Sequence, residues 1–300
     1  MILKLSIIIV NFNSEKFLLE CLKSIEKSSL PMDNFEVIVI DNASNDNSMI
    51  SVPQKFPAVK FIKLEHNIGF ARANNLAIKK ARGEYILILN PDTVIPSATF
   101  KTILKFLDKN PQTAVVTARL NLADGTLDDA CHRGFPTPWN AFCYFSGFAS
   151  LFPNSRIFNG YHLGFTDLNK VHEIDSCVGA FMMVRKSAGT ACGWFDESYF
   201  WYGEDLDFCY RVKKMGWQII YLPQASITHY KGVSSGLKKH SLHLSSADLE
   251  TKIRATRARF EVMRIFYHKH YQKGFYKLLT PLIFSGIKIK EWLSEREYRD

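Results

Sequence analysis

Apolar positions along this chain switch repeatedly between the continuous runs of buried strands and the spacing of amphipathic helices. Leu5 to Val10 is a β-branched run, and Asn13-Ser14 then opens a segment in which Phe17, Leu18, Cys21, Leu22 and Ile25 recur with helical period. Phe35 to Ile40 reads as a second buried strand, stopped by the turn-forming DNASNDNS, and Phe61 to Leu64 as a third. Ile68, Ala71, Leu76, Ala77 and Ile78 mark a helix closed by Gly83, and YILIL at 85–89 is a strand that runs into Asn90-Pro91-Asp92. The first hundred residues thus predict β-α-β-β-α-β. Near-continuous apolar strands separated by helices imply a mostly parallel, Rossmann-like α/β sheet with helices on both faces and right-handed crossovers. Such sheets bind ligands beyond the carboxyl ends of their strands.

Further along, Phe100 to Leu107 predicts a helix, TAVVTA at 113–118 a strand, and Ala123 to Thr126 a hairpin turn. From about Gly134 to Gly164 the chain is rich in Phe, Tyr, Trp, Pro and Gly without a clean period, which suggests an irregular wall or lid. A strand at Cys177 to Val184, a helix from Glu204 to Met215 closed by Gly216, and a strand at Trp217 to Leu222 complete the pattern. The expected organisation is an α/β catalytic domain over 1–245 and a helical segment over 246–300.

Composition narrows the class. With 300 residues, 47% hydrophobic and 22% charged, the chain has the make-up of a globular protein, which excludes disordered, collagen-like and disulfide-scaffold classes. Its basicity is local: residues 251–300 hold 12 Lys and Arg against 5 Asp and Glu, leaving 26 against 24 for the first 250. There Arg254, Arg257, Arg259, Arg264, Lys269, Lys273 and Lys277 interleave with Phe, Tyr, Ile and Leu, a composition suited to the anionic surface of an inner membrane rather than to nucleic acid. The competing expectation is a set of helices packed on the catalytic domain or on a homodimer partner. Six scattered cysteines without a CxxC pair point to reduced core thiols. The apolar start is too short for a secretory signal and no run of about 18 apolar residues occurs, so the expected location is cytoplasmic, peripheral on the membrane's inner face.

Three acidic positions lie where a sheet of this kind builds a site: Asp41 after the second strand, Asp92 after YILIL, and Glu204-Asp205-Asp207 at a helix start. Singly, each suits a cap or a turn equally well. Their order and surroundings change that. SIIIVNFNSEKFLLECLKSI, VIVIDNASNDNS, HNIGFARANNLAIKKARGEYILILNPDT, VGAFMMVRKSA, GWFDESYFWYGEDLDFCYRVKKMGW and ITHYKGVSS resemble successive blocks of the family-2 glycosyltransferases, over about residues 4–235, and most resemble the bacterial rhamnosyltransferase-like branch.

The resemblance implies a GT-A fold, a nucleotide-diphosphosugar donor, a divalent cation (Mg²⁺ or Mn²⁺) and inversion at the anomeric carbon. Asp92 matches the last acid of the family's D-x-D pattern, whose first position is Asn90 here, a departure that removes one charge. His229 matches a histidine that completes the metal site in some relatives. Asp41 matches the acid that reads a pyrimidine base, with Asn11 lining the same pocket; Asn67, Gly69 and Arg72 match the block approaching the donor, where Arg compensates diphosphate charge. Gly179 and Ala180 resemble the small-residue edge beside the donor sugar. Asp205 matches the catalytic base and Glu204 its acidic neighbour, the proximity of the two raising one pKa, whereas Asp207 points elsewhere on its helix and is structural.

The reaction expected is transfer of a sugar, rhamnose from dTDP-rhamnose first, to a glycan or polyprenyl-diphosphate-linked acceptor in O-antigen-type surface polysaccharide synthesis. A UDP-hexose donor would use the same residues. A sugar-phosphate nucleotidyltransferase would need a Gly-rich basic loop near the first strand, where this chain has VNFNSEKF, and a non-catalytic nucleotide-sugar-binding membrane scaffold would lack the acids that Asp92 and Asp205 supply.

Overall fold

The computed structural model describes residues 3–231 and 249–296. Strand β1 (Leu5–Asn11) leads into helix α1 (Glu15–Glu26), and β2 (Phe35–Asp41) into α2 (Ser48–Lys55), β3 (Lys60–Lys63) and α3 (Phe70–Ile78). Then come β4 (Tyr85–Leu89), the two-residue β5 (Thr93–Val94), α4 (Thr99–Lys109) and β6 (Thr113–Asn121). The irregular stretch carries α5 (Pro138–Phe145) and α6 (Phe148–Leu151), and the body closes with β7 (His172–Glu173), β8 (Phe181–Arg185), α7 (Lys186–Cys192), α8 (Glu204–Lys214) and β9 (Gln218–His229). Three further helices follow: α9 (Leu249–His270), α10 (Gly274–Leu278) and α11 (Thr280–Arg296).

All the strands join one sheet in the order β3-β2-β1-β4-β8-β6-β9-β5, with β7 beside β5 on the far edge of β9. The β3-β2-β1-β4 half is parallel, as the apolar runs imply, and every residue of β1 and β4 is buried. The other half is mixed. β8 runs antiparallel between β4 and β6, while β6 and β9 are parallel to each other. In consequence the start of β8 adjoins the end of β4, with Leu89 opposite Phe181.

Three differences from the sequence pattern have local causes. Helix α2 is hidden in the turn-like DNASNDNS and its sequel: it has one fully buried apolar residue, Val52, and contains Pro53, so no period announces it. Residues 177–180 form a turn rather than the start of a strand, and β8 begins only at Phe181. Strand β9 continues to His229 rather than stopping at Leu222, because its register with β6 jumps from Ala118–Leu222 to Arg119–Ser226; the extra residues, Pro223 among them, are absorbed in a bulge. The turn expected at Ala123–Thr126 is present, closed by Leu122 N–H to Thr126 O at 2.7 Å.

The boundary expected at 245/246 lies outside the described residues. Beyond it, α9 docks on the body rather than standing free. Its Ala255, Thr256, Phe260, Phe266 and Tyr267 are buried, and His270 Nε2 meets Asp207 Oδ1 at 2.7 Å, on the carboxylate that also accepts from Arg211 Nε at 2.7 Å. Gly203, at φ +88°, sits so close beneath α9 that a Cβ would come within 2.4 Å of Val262 Cγ1. Helix α11 packs in turn on α9 through Arg257–Glu295 and Arg264–Glu291. Asp207→Ala should lower the free energy of unfolding in a urea titration by about 3 kcal/mol, because it strips the carboxylate shared by Arg211 and His270. Burial opposes the ionisation of Asp207, but His270 and Arg211 hold its pKa below the ordinary value. The wild-type advantage should therefore be complete above about pH 4 and shrink as pH falls through the lowered pKa; a difference indifferent to acid would contradict the assignment.

Candidate active site

One edge of the sheet gathers most of the chemistry-bearing residues. Asn11 and Asp41 end β1 and β2 and are register partners. Both are fully buried; Asn11 Nδ2 donates to Asp41 Oδ1 at 2.9 Å, and Asp41 Oδ2 accepts from Ser44 N at 3.1 Å. Asn11 Oδ1 has no partner. The loop beyond β2 carries a strained turn: Ala43 lies at φ +64°, a conformation that non-glycine residues adopt rarely and that concentrates at ligand sites.

Asn42, which the sequence did not single out, ties this loop to the next. Its Nδ2 donates to Asn67 Oδ1 at 2.9 Å, its Oδ1 accepts from Ile68 N at 2.9 Å, and Asn67 Oδ1 also accepts from Gly69 N at 2.9 Å. Gly69 is at φ +84°, and a Cβ there would stand 2.7 Å from Phe200 O; the following amide, Phe70 N–H, donates to that same carbonyl at 3.0 Å. Phe200 thereby locks the 67–69 loop against the segment before α8, and on its other side the Arg254 guanidinium lies 5.2 Å from its ring. Arg72 stands apart from this network. Its side chain is more than half exposed and pairs with Glu197 at 3.3 Å.

At the end of β4, Asn90 N–H donates to Ala180 O at 3.1 Å and Asn90 O accepts from Thr93 Oγ1 at 2.8 Å, so the Asn90 backbone is fixed against the turn entering β8. In the same turn Gly179 N–H donates to Asp205 Oδ2 at 3.0 Å, while Asp205 Oδ1 accepts from Leu206 N at 2.7 Å. A Cβ on Gly179 would make only ordinary contacts, 3.4 Å to the Phe70 ring and 3.9 Å to Asp205 Cβ, so the protein's own packing does not demand glycine there. Glu204 is buried with Oε2 unpartnered; burial first, and the adjacent Asp205 charge second, push its pKa well above the ordinary carboxylate range. The group raised in this pair is Glu204, the neighbour of the expected base.

His229 ends β9 opposite Thr93 of β5, which brings it beside Asp92. Its Nε2 lies 3.4 Å from Asp92 Oδ1, a charge contact without an aligned hydrogen bond, and Asp92 Oδ1 is buried with no hydrogen-bond partner. On the other side, His229 Nδ1 bonds to Asp128 Oδ2 at 2.9 Å, and Lys231 pairs with Asp128 Oδ1. Burial works against charge on the imidazole, but the Asp92 charge and the Asp128 hydrogen bond outweigh it and hold the pKa up at about 9. Asp128 is held far below the ordinary range in spite of its burial, by the His229 hydrogen bond and the Lys231 charge. Asp128 and Lys231 also escaped the sequence reading. The only local trace of Asp128 is its capping of a short turn, accepting from Ala130 N at 3.0 Å, because the residue it serves is 101 positions away.

The pair fits a divalent cation on one observation: a buried carboxylate oxygen without a hydrogen bond lies against the nitrogen of an imidazole that a second carboxylate orients from behind, the usual arrangement of a histidine ligand. Among the described residues no group of three or more His, Cys, Asp or Glu side chains is assembled to hold a metal on its own. A hard cation that also binds phosphate oxygens and water needs few protein ligands.

Residues 6–188 match the model of glycosyl transferase family 2. The chain belongs to that family. It is 25% identical over 228 residues to N-acetylglucosaminyl-diphospho-decaprenol L-rhamnosyltransferase of Mycobacterium tuberculosis, covering 72% of this chain and 73% of that protein. It is 26% identical over 232 residues to the rhamnosyltransferase WbbL of Escherichia coli K12, covering 75% and 82%. The mannosyltransferase PcManGT from Pyrobaculum calidifontis, solved with GDP-Man and Mn²⁺, superposes with a TM-score of 0.59 at 18% identity over 90% of this chain; the chain spans 65% of that one, and the likeness speaks to the fold. This family-2 chain is a nucleotide-sugar glycosyltransferase of GT-A fold. Gly69→Ala forces a side chain into positive φ against the Phe200 carbonyl, and should cost about 1–3 kcal/mol of stability in chemical denaturation; an unchanged midpoint would show that the loop yields without loss.

Proposed function

We propose that the protein is a metal-dependent inverting rhamnosyltransferase that uses dTDP-rhamnose and extends a polyprenyl-diphosphate-linked glycan at the cytoplasmic face of the membrane, in the synthesis of a surface polysaccharide. The observation that supports the metal-dependent reading is the buried Asp92 Oδ1, which has no hydrogen bond and lies 3.4 Å from His229 Nε2. The choice of sugar and acceptor is supported by the names of the two relatives, one of which is a rhamnosyltransferase acting on a diphospho-decaprenol. No described helix is long and apolar enough to cross a membrane.

In this mechanism Asp41 and Asn11 accept and donate to the pyrimidine imide, which suits a carboxylate because it only accepts hydrogen bonds. Asn67 and Gly69 hold the loop over the donor, and the backbones of Gly179 and Ala180 leave the sugar room. Asp92 and His229 would hold Mn²⁺ or Mg²⁺, and a donor set of one carboxylate and one imidazole favours Mn²⁺. When bound, the cation supplies charge stabilisation for the departing diphosphate. His229 must surrender its Nε2 proton to act as a ligand, with Asp128 keeping the other nitrogen protonated. Asp205 takes the proton of the acceptor hydroxyl as that oxygen bonds to the anomeric carbon; the carbon–oxygen bond to the diphosphate breaks, and its electron pair leaves with the nucleotide. The upward shift of the Glu204 pKa works against a second negative charge beside the base.

Asp205→Asn should abolish transfer and leave dTDP-rhamnose affinity near wild type by calorimetry; near-normal turnover would remove Asp205 as the base. Asp92→Ala should remove the metal dependence of donor binding. Asp128→Asn should weaken Mn²⁺ binding about ten- to a hundredfold without loss of fold, as loss of a carboxylate behind a histidine ligand does elsewhere. Calorimetric titration with dTDP-rhamnose, UDP-glucose, UDP-galactose and UDP-N-acetylglucosamine, each with and without Mn²⁺, tests the donor directly. Tight binding of a UDP-hexose in place of dTDP-rhamnose would replace the sugar, and equal binding with and without metal would overturn the role of Asp92 and His229.

A further inference from the structure

We propose that helices α5 and α6 and the outward face of α11 form one continuous surface that docks on an anionic lipid bilayer. The proposal rests on the reading of a lipid-linked acceptor and adds where the membrane sits. The aromatic segment is more exposed than a wall of a soluble site requires: Phe142, Phe145, Phe148, Leu151, Phe152 and Ile157 are 38–68% exposed. Phe142 and Phe148 lie 6.1 Å apart between ring centroids, and Phe148 and Phe152 lie 5.8 and 5.1 Å from the half-buried Phe158. From Gly134 to Thr166 there is no Asp or Glu. An exposed apolar patch of this extent without acids is the composition of a surface that meets lipid.

The same separation of charge appears on α10 and α11. Leu278, Leu282, Ile289, Trp292 and Leu293 are 46–75% exposed, with Lys273, Lys277, Lys288 and Lys290 exposed among them. The acids of α11, Glu291 and Glu295, are turned inward and bonded to Arg264 and Arg257 of α9. The outward face is thus apolar and cationic, with its acids bound on the opposite side, which is complementary to anionic headgroups over an acyl interior. The two regions meet where Lys290 Nζ lies 5.7 Å from the Phe145 ring centroid. Beneath the aromatic segment, Ala149, Pro153, Asn159 and Leu163 join Asp129 and His132 around a cavity of about 350 Å³, next in sequence to the Asp128 that orients His229.

The test is co-sedimentation of the full chain with phosphatidylglycerol–phosphatidylcholine vesicles and with phosphatidylcholine vesicles, at low and high salt, for wild type, Phe142→Ser/Leu151→Ser and Lys288→Glu/Lys290→Glu. Wild type should bind the anionic vesicles, and both variants should lose about tenfold or more in partition, the lysine variant also losing the salt dependence. Each variant is checked for an unchanged melting temperature and unchanged nucleotide-sugar affinity in solution, which separates failure of docking from failure of the transferase reading. Wild-type partition by Phe142→Ser/Leu151→Ser would overturn the proposal, because docking would then belong to the tail alone. Sedimentation of vesicle-free wild type as a dimer that these substitutions dissociate would overturn it in favour of a second copy covering the face.

Discussion

The antiparallel placement of β8 beside β4 is the constraint on which the site depends. In an all-parallel sheet every strand would begin at the edge opposite the ligand. Because β8 runs the other way, its start adjoins the end of β4, and the Gly179–Ala180 turn meets Asn90 backbone to backbone. That turn also supplies the amide that holds Asp205 at the start of α8. Asp205 is thereby attached to the segment after β4 that carries Asp92 through one bond from the Gly179 amide to its own carboxylate and one main-chain bond from Asn90 N–H to Ala180 O. The bulge in β9 completes the arrangement by carrying the strand far enough to set His229 against Thr93.

Electrostatics then assign forms to the buried groups. Two carboxylates, Asp92 and Asp128, share one imidazole, with Lys231 on the second of them, and the two acids hold the His229 pKa up at about 9 against its burial. At the other acidic pair, burial pushes the Glu204 pKa well above the ordinary carboxylate range, and the adjacent Asp205 charge adds to the rise. Both shifts run in the direction that lowers net charge at a buried place, where an uncompensated charge is costly.

Much of this was legible in the chain. The apolar runs of β1, β2 and β4 announce the parallel half of the sheet because each is buried on both faces, and the residues that end them, Asn11, Asp41 and Asn90–Asp92, follow from that. What escaped depends on partners remote in sequence. Asp128 and Asn42 act on His229 and Asn67, and neither sits in a pattern that distinguishes it from a turn former. Helix α2 has too few apolar positions to display a period, and β9 passes through a proline that reads as its end. Arg72 is the reverse case: its place in the expected block is clear, yet its side chain is held by Glu197, a contact visible only in three dimensions. The tail is divided by the same logic, since the basic residues of α9 and α11 look alike in sequence, but Arg257 and Arg264 are bound to acids whereas Lys288 and Lys290 face outward.

The central claim is that Asp92 and His229 form the protein's half of a metal site completed by the nucleotide. The most direct measurement is an anomalous difference map from crystals grown with Mn²⁺ and dTDP. The account predicts one strong peak between Asp92 Oδ1 and His229 Nε2, in contact with the diphosphate and lost in crystals of Asp92→Ala. A well-ordered nucleotide with no peak there, or with the metal held by other side chains, would contradict it.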